Sequence, residues 1–136
     1  MVGMSGPDAI APDGSQIRLL VTGATRASLV EVLLPAGRTT RPVRHRTVEE
    51  IWYFLEGTGT VWLRDPGSGE AALHRVAPGA VVVIPTGHHF QFRAGAGGPL
   101  RFLCWTSPPW PGDEEAVAVA EGGLGEPTVP AGRRRI

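Results

Sequence analysis

One histidine and two glutamates stand close together in the segment HRTVEEIWYFLEG, residues 45–57. His45 and Glu50 are separated by four residues, and Glu49 directly precedes Glu50. An imidazole and a carboxylate at this spacing can bind a divalent metal ion, or they can act as a general acid–base pair. A simpler interpretation is that these residues are charged groups at the edge of a strand, and this interpretation suits Glu49 best. His45 and Glu50 are therefore the candidate catalytic residues.

Two further histidines, His88 and His89, precede the apolar residues of HFQFR. Side chains alternate between the two faces of a strand. Strict alternation places His88 on the face of Phe90 and Phe92, whereas a bulge at Gly87 would place His89 there. Two imidazoles and one carboxylate can hold Zn, Fe, Mn or Ni and leave coordination positions open for water and substrate.

The elements that must position these residues are short apolar runs separated by Gly and Pro. This pattern predicts an antiparallel sandwich or barrel. Residues 113–121 are expected to form at most a short helical turn, and the Gly- and Pro-rich tail that follows is expected to be loosely ordered. The predicted strands cover residues 16–23, 27–35, 41–46, 50–57, 59–65, 71–79, 80–87, 89–95 and 100–109.

Two stretches resemble the paired motifs of the cupin superfamily. PAGRTTRPVRHRTVEEIWYFLEG is similar to the first motif, and PGAVVVIPTGHHFQF is similar to the second. The resemblance implies an all-β cupin fold, an antiparallel jelly-roll barrel also called a double-stranded β-helix. It implies one domain over residues 1–136, with a barrel core at about 16–109 and a C-terminal arm at 110–136. The framework residues that match are Gly37, His45, Glu50, Gly57, Gly79, Pro85 and Gly87.

The metal ligands of the two motifs are incomplete. Val43 stands where the first motif has its first histidine, and Phe90 stands where the second motif has its histidine. The resemblance implies a metal site of His45 and Glu50 completed by His89 or His88. The wider pattern resembles small actinobacterial-type cupins, in which the histidine directly before the Phe is the more regular one, and this favours His89. The sequence is compatible with a site that binds a divalent metal ion and also with a pocket that contains no metal.

Several residues are expected to contact a ligand in the barrel. Arg41 shares the face of Val43 and can grip a carboxylate or phosphate. Trp52, Phe54, Phe90 and Phe92 are expected to form aromatic walls. Pro residues on both sides of Trp110 stiffen the arm, so its indole is expected to anchor the arm on the barrel or on a neighbouring subunit.

The amino-acid composition limits which classes of binding partner are expected. The 136 residues have a formal net charge of zero, which gives no reason to expect nucleic acid or an anionic membrane as a partner. Cys104 is the single cysteine, and no signal peptide or long apolar run is visible, so a cytoplasmic location is expected. The cupin resemblance implies a homodimer.

The function expected from these features is binding of a small molecule. The leading hypothesis is a metal-dependent isomerase, cyclase or dioxygenase. Its substrate carries a carbonyl, enol or acid group and is aromatic or polyketide-like, which suggests secondary metabolism. The alternative is a non-catalytic cupin that binds a small ligand without metal. With no metal, His45 and Glu50 still form an acid–base pair.

Overall fold

The computed structural model describes residues 6–130, which form two antiparallel sheets. The predicted all-β architecture is confirmed. The strands are β1 (Ala9–Ile10), β2 (Gln16–Val21), β3 (Ser28–Leu34), β4 (Val43–His45), β5 (Glu49–Glu56), β6 (Gly59–Arg64), β7 (Ala71–Val76), β8 (Val81–Ile84), β9 (His89–Ala94), β10 (Leu100–Ser107) and β11 (Ala116–Ala118).

Each of the two cupin-like motifs is divided between the two sheets, because β4 and β9 lie in one sheet and β5 and β8 lie in the other. The first sheet has the order β1-β2-β3-β10-β5-β8, and the second has the order β11-β4-β9-β6-β7. His45 ends β4 in the second sheet, whereas Glu50 lies near the start of β5 in the first. The short turn between them therefore crosses from one sheet to the other.

Strand alternation determines which side chains fill the space between the sheets. In β5, Glu50, Trp52 and Phe54 are buried while Ile51 and Tyr53 are exposed. The same period in β10 buries a second inward row, Leu100, Phe102, Cys104 and Thr106. Because Thr106 is directly opposite Glu50 in the β5–β10 register, the two polar residues meet at one end of an otherwise apolar row.

The centre of the molecule is a cluster of four aromatic side chains, which we call the aromatic floor: Trp52, Phe54, Phe92 and Phe102. The ring centroids of Trp52 and Phe102 are 4.5 Å apart in a stacked arrangement, and those of Phe54 and Phe102 are 4.7 Å apart. Burying each such ring contributes about 1.5–3 kcal/mol. The floor is thus a main source of the stability of the fold.

The C-terminal segment differs from the expected loose tail. A 3-10 turn at Asp113–Glu115 leads into β11, which pairs with β4. Beyond it, the amide nitrogen of Gln91 donates to the carbonyl oxygen of Gly125 at 2.8 Å, and the backbone nitrogen of Leu124 donates to the amide oxygen of Gln91 at 2.8 Å. The segment up to residue 130 therefore packs on the outer face of the second sheet.

In residues 6–130 the helical structure is confined to that 3-10 turn. No helix in this part of the chain has the length and apolar character needed to cross a membrane.

Candidate functional site

A cavity of about 260 Å³ lies between the two sheets, above the aromatic floor. Side chains from both sheets, from the N-terminal turn and from the arm after β10 surround it. Its walls are mainly apolar, and its polar groups are concentrated at one end. We call this group of residues the polar end: Asp13, His45, Glu50, Thr106 and Trp110.

Glu50 is a buried carboxylate whose two oxygens are both occupied. The indole Nε1 of Trp52 donates to Oε1 at 2.9 Å, and the hydroxyl of Thr106 donates to Oε2 at 2.8 Å. Glu50 is therefore held in one position by neighbours on its own strand and on β10.

His45 is equally buried, but its Nδ1 has no hydrogen-bond partner in the protein. The Oε2 atom of Glu50 is 4.0 Å from this nitrogen, which is an electrostatic contact and too long for a hydrogen bond. The ring is fixed by edge contacts with Phe90 and Trp110, at centroid distances of 5.0 and 5.1 Å. Buried polar atoms without a partner are rare in native proteins, and this one lies beside a buried carboxylate at the cavity.

Asp13 brings a second carboxyl group to the cavity. Burial raises the pKa of Asp13 above its ordinary value, although hydrogen bonds from the backbone nitrogen and hydroxyl of Ser15 partly lower it. The charges of His45 and Glu50 also act on its pKa, so the three groups share one electrostatic environment. Burial likewise raises the pKa of the Cys104 thiol, which keeps this cavity-lining residue protonated.

Trp110 lies over the cavity on the arm that follows β10. Its backbone nitrogen donates to the hydroxyl of Ser28 at 3.0 Å, and Pro109 and Pro111 flank it. The indole Nε1 is buried and has no hydrogen-bond partner in the protein. The arm thus folds across its own barrel, which is one of the two placements that the sequence suggested.

The turn that joins His45 to Glu50 is held by Glu115. Its carboxylate accepts hydrogen bonds from the backbone nitrogens of Thr47 and Val48 and from the hydroxyl of Thr47. Burial raises the pKa of Glu115, but these hydrogen bonds outweigh that effect and leave the pKa below its ordinary value. Glu115 therefore fixes the geometry of the polar end without reaching the cavity itself.

The structure brings five of the predicted site residues to the cavity: His45, Glu50, Trp52, Phe90 and Phe92. Phe54 lies deeper in the aromatic floor and does not line the cavity. The guanidinium of Arg41 does not line it either, because this group donates to the carbonyl oxygen of Pro130 at 2.7 Å.

His88 and His89 are not brought to the cavity. β9 begins at His89, whose register partner on β4 is Arg44, while the next residue, Phe90, is opposite Val43 and points inward. Alternation therefore directs His89 to the other face of the sheet. His88 precedes the strand in the turn after Pro85 and also lies outside the cavity.

The side chains at the polar end do not fit a metal ion. Of the four predicted ligands, only His45 and Glu50 reach the cavity, and both oxygens of Glu50 already accept hydrogen bonds. Val43 and Phe90 occupy the positions where further ligands would be needed. Within residues 6–130, no group of three or more His, Cys, Asp or Glu side chains is arranged to hold a metal ion.

Three residues of the polar end were missed as cavity residues from the sequence: Asp13, Thr106 and Trp110. Thr106 could have been identified, because it continues the inward row of Phe102 and Cys104. Asp13 lies in the turn PDGS, and nothing local indicates that this turn folds against the barrel opening. For Trp110, the flanking prolines indicated a fixed position but gave no direction for the indole nitrogen.

Comparison with known proteins agrees with the architecture. The family model for the cupin domain matches residues 30–106. An uncharacterized protein of Methanocaldococcus jannaschii is 30% identical over 112 residues, which cover 79% of this chain and 85% of that protein.

Solved structures give two informative neighbours. The polyketide cyclase RemF from Streptomyces resistomycificus has a TM-score of 0.63 and 27% identity, and the match covers 90% of this chain and 87% of that one. A variant of oxalate decarboxylase from Bacillus subtilis has a TM-score of 0.71 and 17% identity. There the match covers 87% of this chain but only 32% of the decarboxylase, so that likeness concerns the fold alone.

Proposed function

We propose that this chain, which belongs to the cupin family, binds a small, largely apolar organic molecule in its cavity and transfers a proton within it. The substrate class is a ring-bearing or polyketide-like ketone, and the reaction is an isomerisation or cyclisation that needs no metal ion. The observation that carries the proposal is the buried imidazole of His45, which lines the polar end of an apolar cavity and lies beside the carboxylate of Glu50.

The size of the cavity supports a ligand with one or two rings. An apolar cavity of about 150 Å³ binds benzene, and the present cavity measures about 260 Å³. Trp52, Phe90 and Phe92 provide flat apolar walls for such a molecule. The likeness to a polyketide cyclase supports the same substrate class and a place in secondary metabolism.

His45 is suited to act as the general base. Its imidazole takes a proton from a carbon next to the substrate carbonyl, and the C–H electron pair moves toward the carbonyl oxygen to give an enolate. In a β,γ-unsaturated ketone the enolate is conjugated, and return of the proton to the γ carbon moves the double bond and completes an isomerisation. In a cyclisation, the enolate carbon forms the new C–C bond to a second carbonyl, and His45 returns the proton to the resulting alkoxide. Glu50, 4.0 Å away, stabilises the imidazolium that exists between these steps.

Proton exchange tests this proposal without knowledge of the natural substrate. In D₂O, chelator-treated protein is expected to exchange the protons next to the carbonyl of 2-tetralone faster than buffer does, as followed by proton NMR. His45→Gln should lose this exchange. His74→Gln is the matched control, because His74 is exposed on β7 away from the cavity, and it should retain the exchange. Exchange that is equal in the wild type and His45→Gln would contradict the role of His45.

Metal dependence is tested separately by elemental analysis of protein purified without a His-tag. We expect no stoichiometric Zn, Fe, Mn or Ni. Near-stoichiometric metal that is lost in both His45→Gln and Glu50→Gln would overturn the metal-free form of the proposal. It would favour the metal-dependent enzyme that the cupin motifs suggest.

The second candidate is a non-catalytic cupin that binds the same class of ligand. The observation that favours it is that the polar end has few groups able to catalyse a reaction. Among residues 6–130, His45 is the only histidine that lines the cavity, and both oxygens of Glu50 already accept hydrogen bonds. Tight binding of 2-tetralone with no exchange above buffer would favour this candidate.

We also propose that the protein forms a homodimer, and the exposed outer face of the first sheet supports this proposal. Trp105, Ile51 and Val83 are neighbours in register on β10, β5 and β8, and all three are exposed. Tyr53 and Val81, which are partners in the adjacent row, are also exposed and extend this surface. An exposed apolar surface of this kind is typical of an interface between proteins. Light scattering should give a dimer mass for the wild type and a monomer mass for an Ile51→Arg, Val83→Arg double variant.

A further inference from the structure

We propose that Asp13 is a substrate-binding residue whose carboxyl group donates a hydrogen bond from Oδ2 to the oxygen of the ligand's carbonyl or enol group. This inference rests on the proposed function, because it assigns a second contact of the same ligand. It makes the ligand class more specific: a ring compound whose carbonyl oxygen faces Asp13 while the neighbouring carbon faces His45.

The first argument compares the two carboxyl groups of the cavity. Both oxygens of Glu50 accept hydrogen bonds, one from Trp52 and the other from Thr106. In Asp13 both hydrogen bonds go to Oδ1, which accepts from the backbone nitrogen of Ser15 at 2.9 Å and from its hydroxyl at 2.7 Å. Oδ2 receives no hydrogen bond within residues 6–130. One oxygen of Asp13 is therefore available to a ligand.

The second argument is that Oδ2 can be reached from the cavity. Asp13 lines the cavity and is only 9% exposed. The unpartnered Nδ1 of His45 and Nε1 of Trp110 are closed even to a water molecule, but within residues 6–130 Oδ2 does not belong to this closed group. Oδ2 therefore presents surface that a ligand atom in the cavity can contact.

The third argument concerns the position of the proton. A protonated carboxyl group has a single O–H donor. Since Oδ1 already accepts two hydrogen bonds, the proton of Asp13 belongs on Oδ2. Burial and the charge of Glu50 raise the pKa of Asp13, the hydrogen bonds from Ser15 and the charge of His45 lower it, and the net shift is upward. The protonated form, which can donate, is therefore more favoured than in an exposed aspartate.

The fourth argument is the rigidity of the turn that carries Asp13. The backbone nitrogen of Ala11 donates to the carbonyl oxygen of Ser15, and that of Gly14 donates to the carbonyl oxygen of Ala11, both at 2.9 Å. The backbone oxygen of Asp13 accepts from the nitrogen of Arg41, also at 2.9 Å. Gly14 has a φ of 98°, which only glycine adopts readily. A donor fixed in this way loses little conformational entropy when a ligand binds.

The chemistry of the pair follows from these contacts. His45 takes the proton from carbon, the new negative charge moves to the ligand oxygen, and the O–H of Asp13 donates to that oxygen while Asp13 keeps its proton. A carboxylic acid that is held neutral in an apolar site makes a stronger hydrogen bond as this charge develops. No external oxidant or reductant is needed, because the proton and the electron pair both stay within the complex.

Two probes of nearly equal shape test the hydrogen bond. 2-Tetralone has a carbonyl oxygen that can only accept, and 2-methylenetetralin has a CH₂ group in the same place. Equilibrium dialysis measures both affinities, and their ratio is compared between proteins because the ratio removes the difference in hydration between the probes. Asp13→Leu should lower the preference for 2-tetralone about 3- to 10-fold, the range expected for one net hydrogen bond.

Two further variants make the comparison specific. Asp13→Asn should retain the preference, because its amide oxygen takes the hydrogen bonds from Ser15 and its NH₂ group then occupies the position of Oδ2. Asp65→Leu is the matched control and should leave both affinities unchanged. The Oδ1 of Asp65 likewise accepts from a backbone nitrogen two residues later, that of Gly67 at 2.8 Å, but Asp65 does not line the cavity.

Infrared spectroscopy tests the same contact in the wild type. A hydrogen bond to a carbonyl oxygen weakens the C=O bond, so the carbonyl band of bound 2-tetralone should lie at a lower frequency than the band of 2-tetralone in hexane. Asp13→Asn should keep this lower frequency. A bound band at the hexane position would contradict the hydrogen bond, and it would do so even if Asp13→Leu folds poorly.

The outcomes of the binding experiment separate this inference from the proposed function. If Asp13→Leu has the same preference as the wild type, or if it weakens both probes in the same proportion, the hydrogen bond from Asp13 is contradicted while the binding cavity stands. If neither probe binds the wild type, the proposed function fails and this inference fails with it.

Discussion

The aromatic floor and the polar end lie side by side in one cavity, yet they are built in opposite ways. In the floor, Phe54, Phe92 and Phe102 have no measurable exposure and pack ring against ring. At the polar end, His45 Nδ1 and Trp110 Nε1 are buried without partners, and burial raises the pKa of Asp13. The floor therefore stabilises the fold, whereas the polar end combines the stabilising contact of Thr106 with Glu50 and buried groups that lower stability.

This contrast indicates where function is located in a small barrel. Residues whose polar atoms are all satisfied can be explained by stability alone. A group of unsatisfied and perturbed residues at one end of a cavity is better explained by ligand binding. Glu50 connects the two regions, because it accepts from Trp52 of the floor and stands 4.0 Å from His45 of the polar end.

The largest effect on the free energy of unfolding is expected from a substitution in the aromatic floor. Phe102→Ala removes a fully buried ring that contacts Trp52, Phe54 and Phe92. The free energy of unfolding should fall by about 3–5 kcal/mol, the usual range for deleting a core phenylalanine. Urea denaturation followed by fluorescence measures this loss. A loss below about 1 kcal/mol would mean that the floor is not the stabilising region.

A smaller loss is expected where the two regions meet. Thr106→Val keeps the shape of the side chain but removes the hydroxyl that donates to Glu50 Oε2. A hydrogen bond to a charged group contributes about 1.5–3 kcal/mol, so the free energy of unfolding should fall by about that amount. Thr60→Val on β6, which lies outside the cavity lining, provides the control. Equal effects of the two substitutions would argue against a special role for the Glu50 contacts.

Glu115→Gln tests the residue that holds the turn between His45 and Glu50. The amide keeps part of the hydrogen bonding to Thr47 and Val48 but loses the charge, so a loss of about 1 kcal/mol is expected at neutral pH. The pKa of Glu115 is lowered from 4.5 in the folded protein. Its stabilising effect is therefore present above about pH 4.5 and disappears as the pH falls through the lower folded-state pKa. Unfolding curves of wild type and variant should converge in acid, and a constant difference would contradict this account.

The smallest effect on stability is expected from a substitution at the polar end, and this substitution should stabilise the protein. Burial raises the pKa of Asp13 above 3.8, so as the pH rises above this value the unfolded state loses its proton first and unfolding becomes easier. Asp13→Asn cannot ionise, and its amide oxygen can still accept from Ser15. The variant should be more stable than the wild type at pH 7 and equally stable near pH 3. Lower stability of the variant at pH 7 would show that the carboxylate is a net stabiliser.

Much of this arrangement was predictable from the sequence, because strand alternation is local. The pattern EEIWYF places Glu50 and Trp52 on one face and Tyr53 on the other, as the structure has them. The cupin motifs gave the correct family and fold. The positions of His45 and Glu50 in the cavity follow from the same two signals.

The remainder depends on contacts between distant segments. Asp13 reaches the cavity because the N-terminal turn folds back, and its backbone oxygen accepts from the nitrogen of Arg41. The C-terminal tail has a composition typical of disorder, but Gly122 and Gly123 leave room for Gln91 and Trp62 against it, where any side chain would clash. Gln91 would be an ordinary outer-face residue without this cover. Local patterns contain no information about such covering segments.

The central claim is that the polar end binds a small ring compound beside His45 without a metal ion, and the imidazole resonances test it most directly. The chain has four histidines, so ¹H–¹⁵N spectra of chelator-treated protein should contain four sets of imidazole signals, assigned with single His→Gln variants. On addition of 2-naphthol, the His45 signals should move because its ring lines the cavity, while those of exposed His74 stay in place. His45 signals that do not move at saturating 2-naphthol would contradict the account.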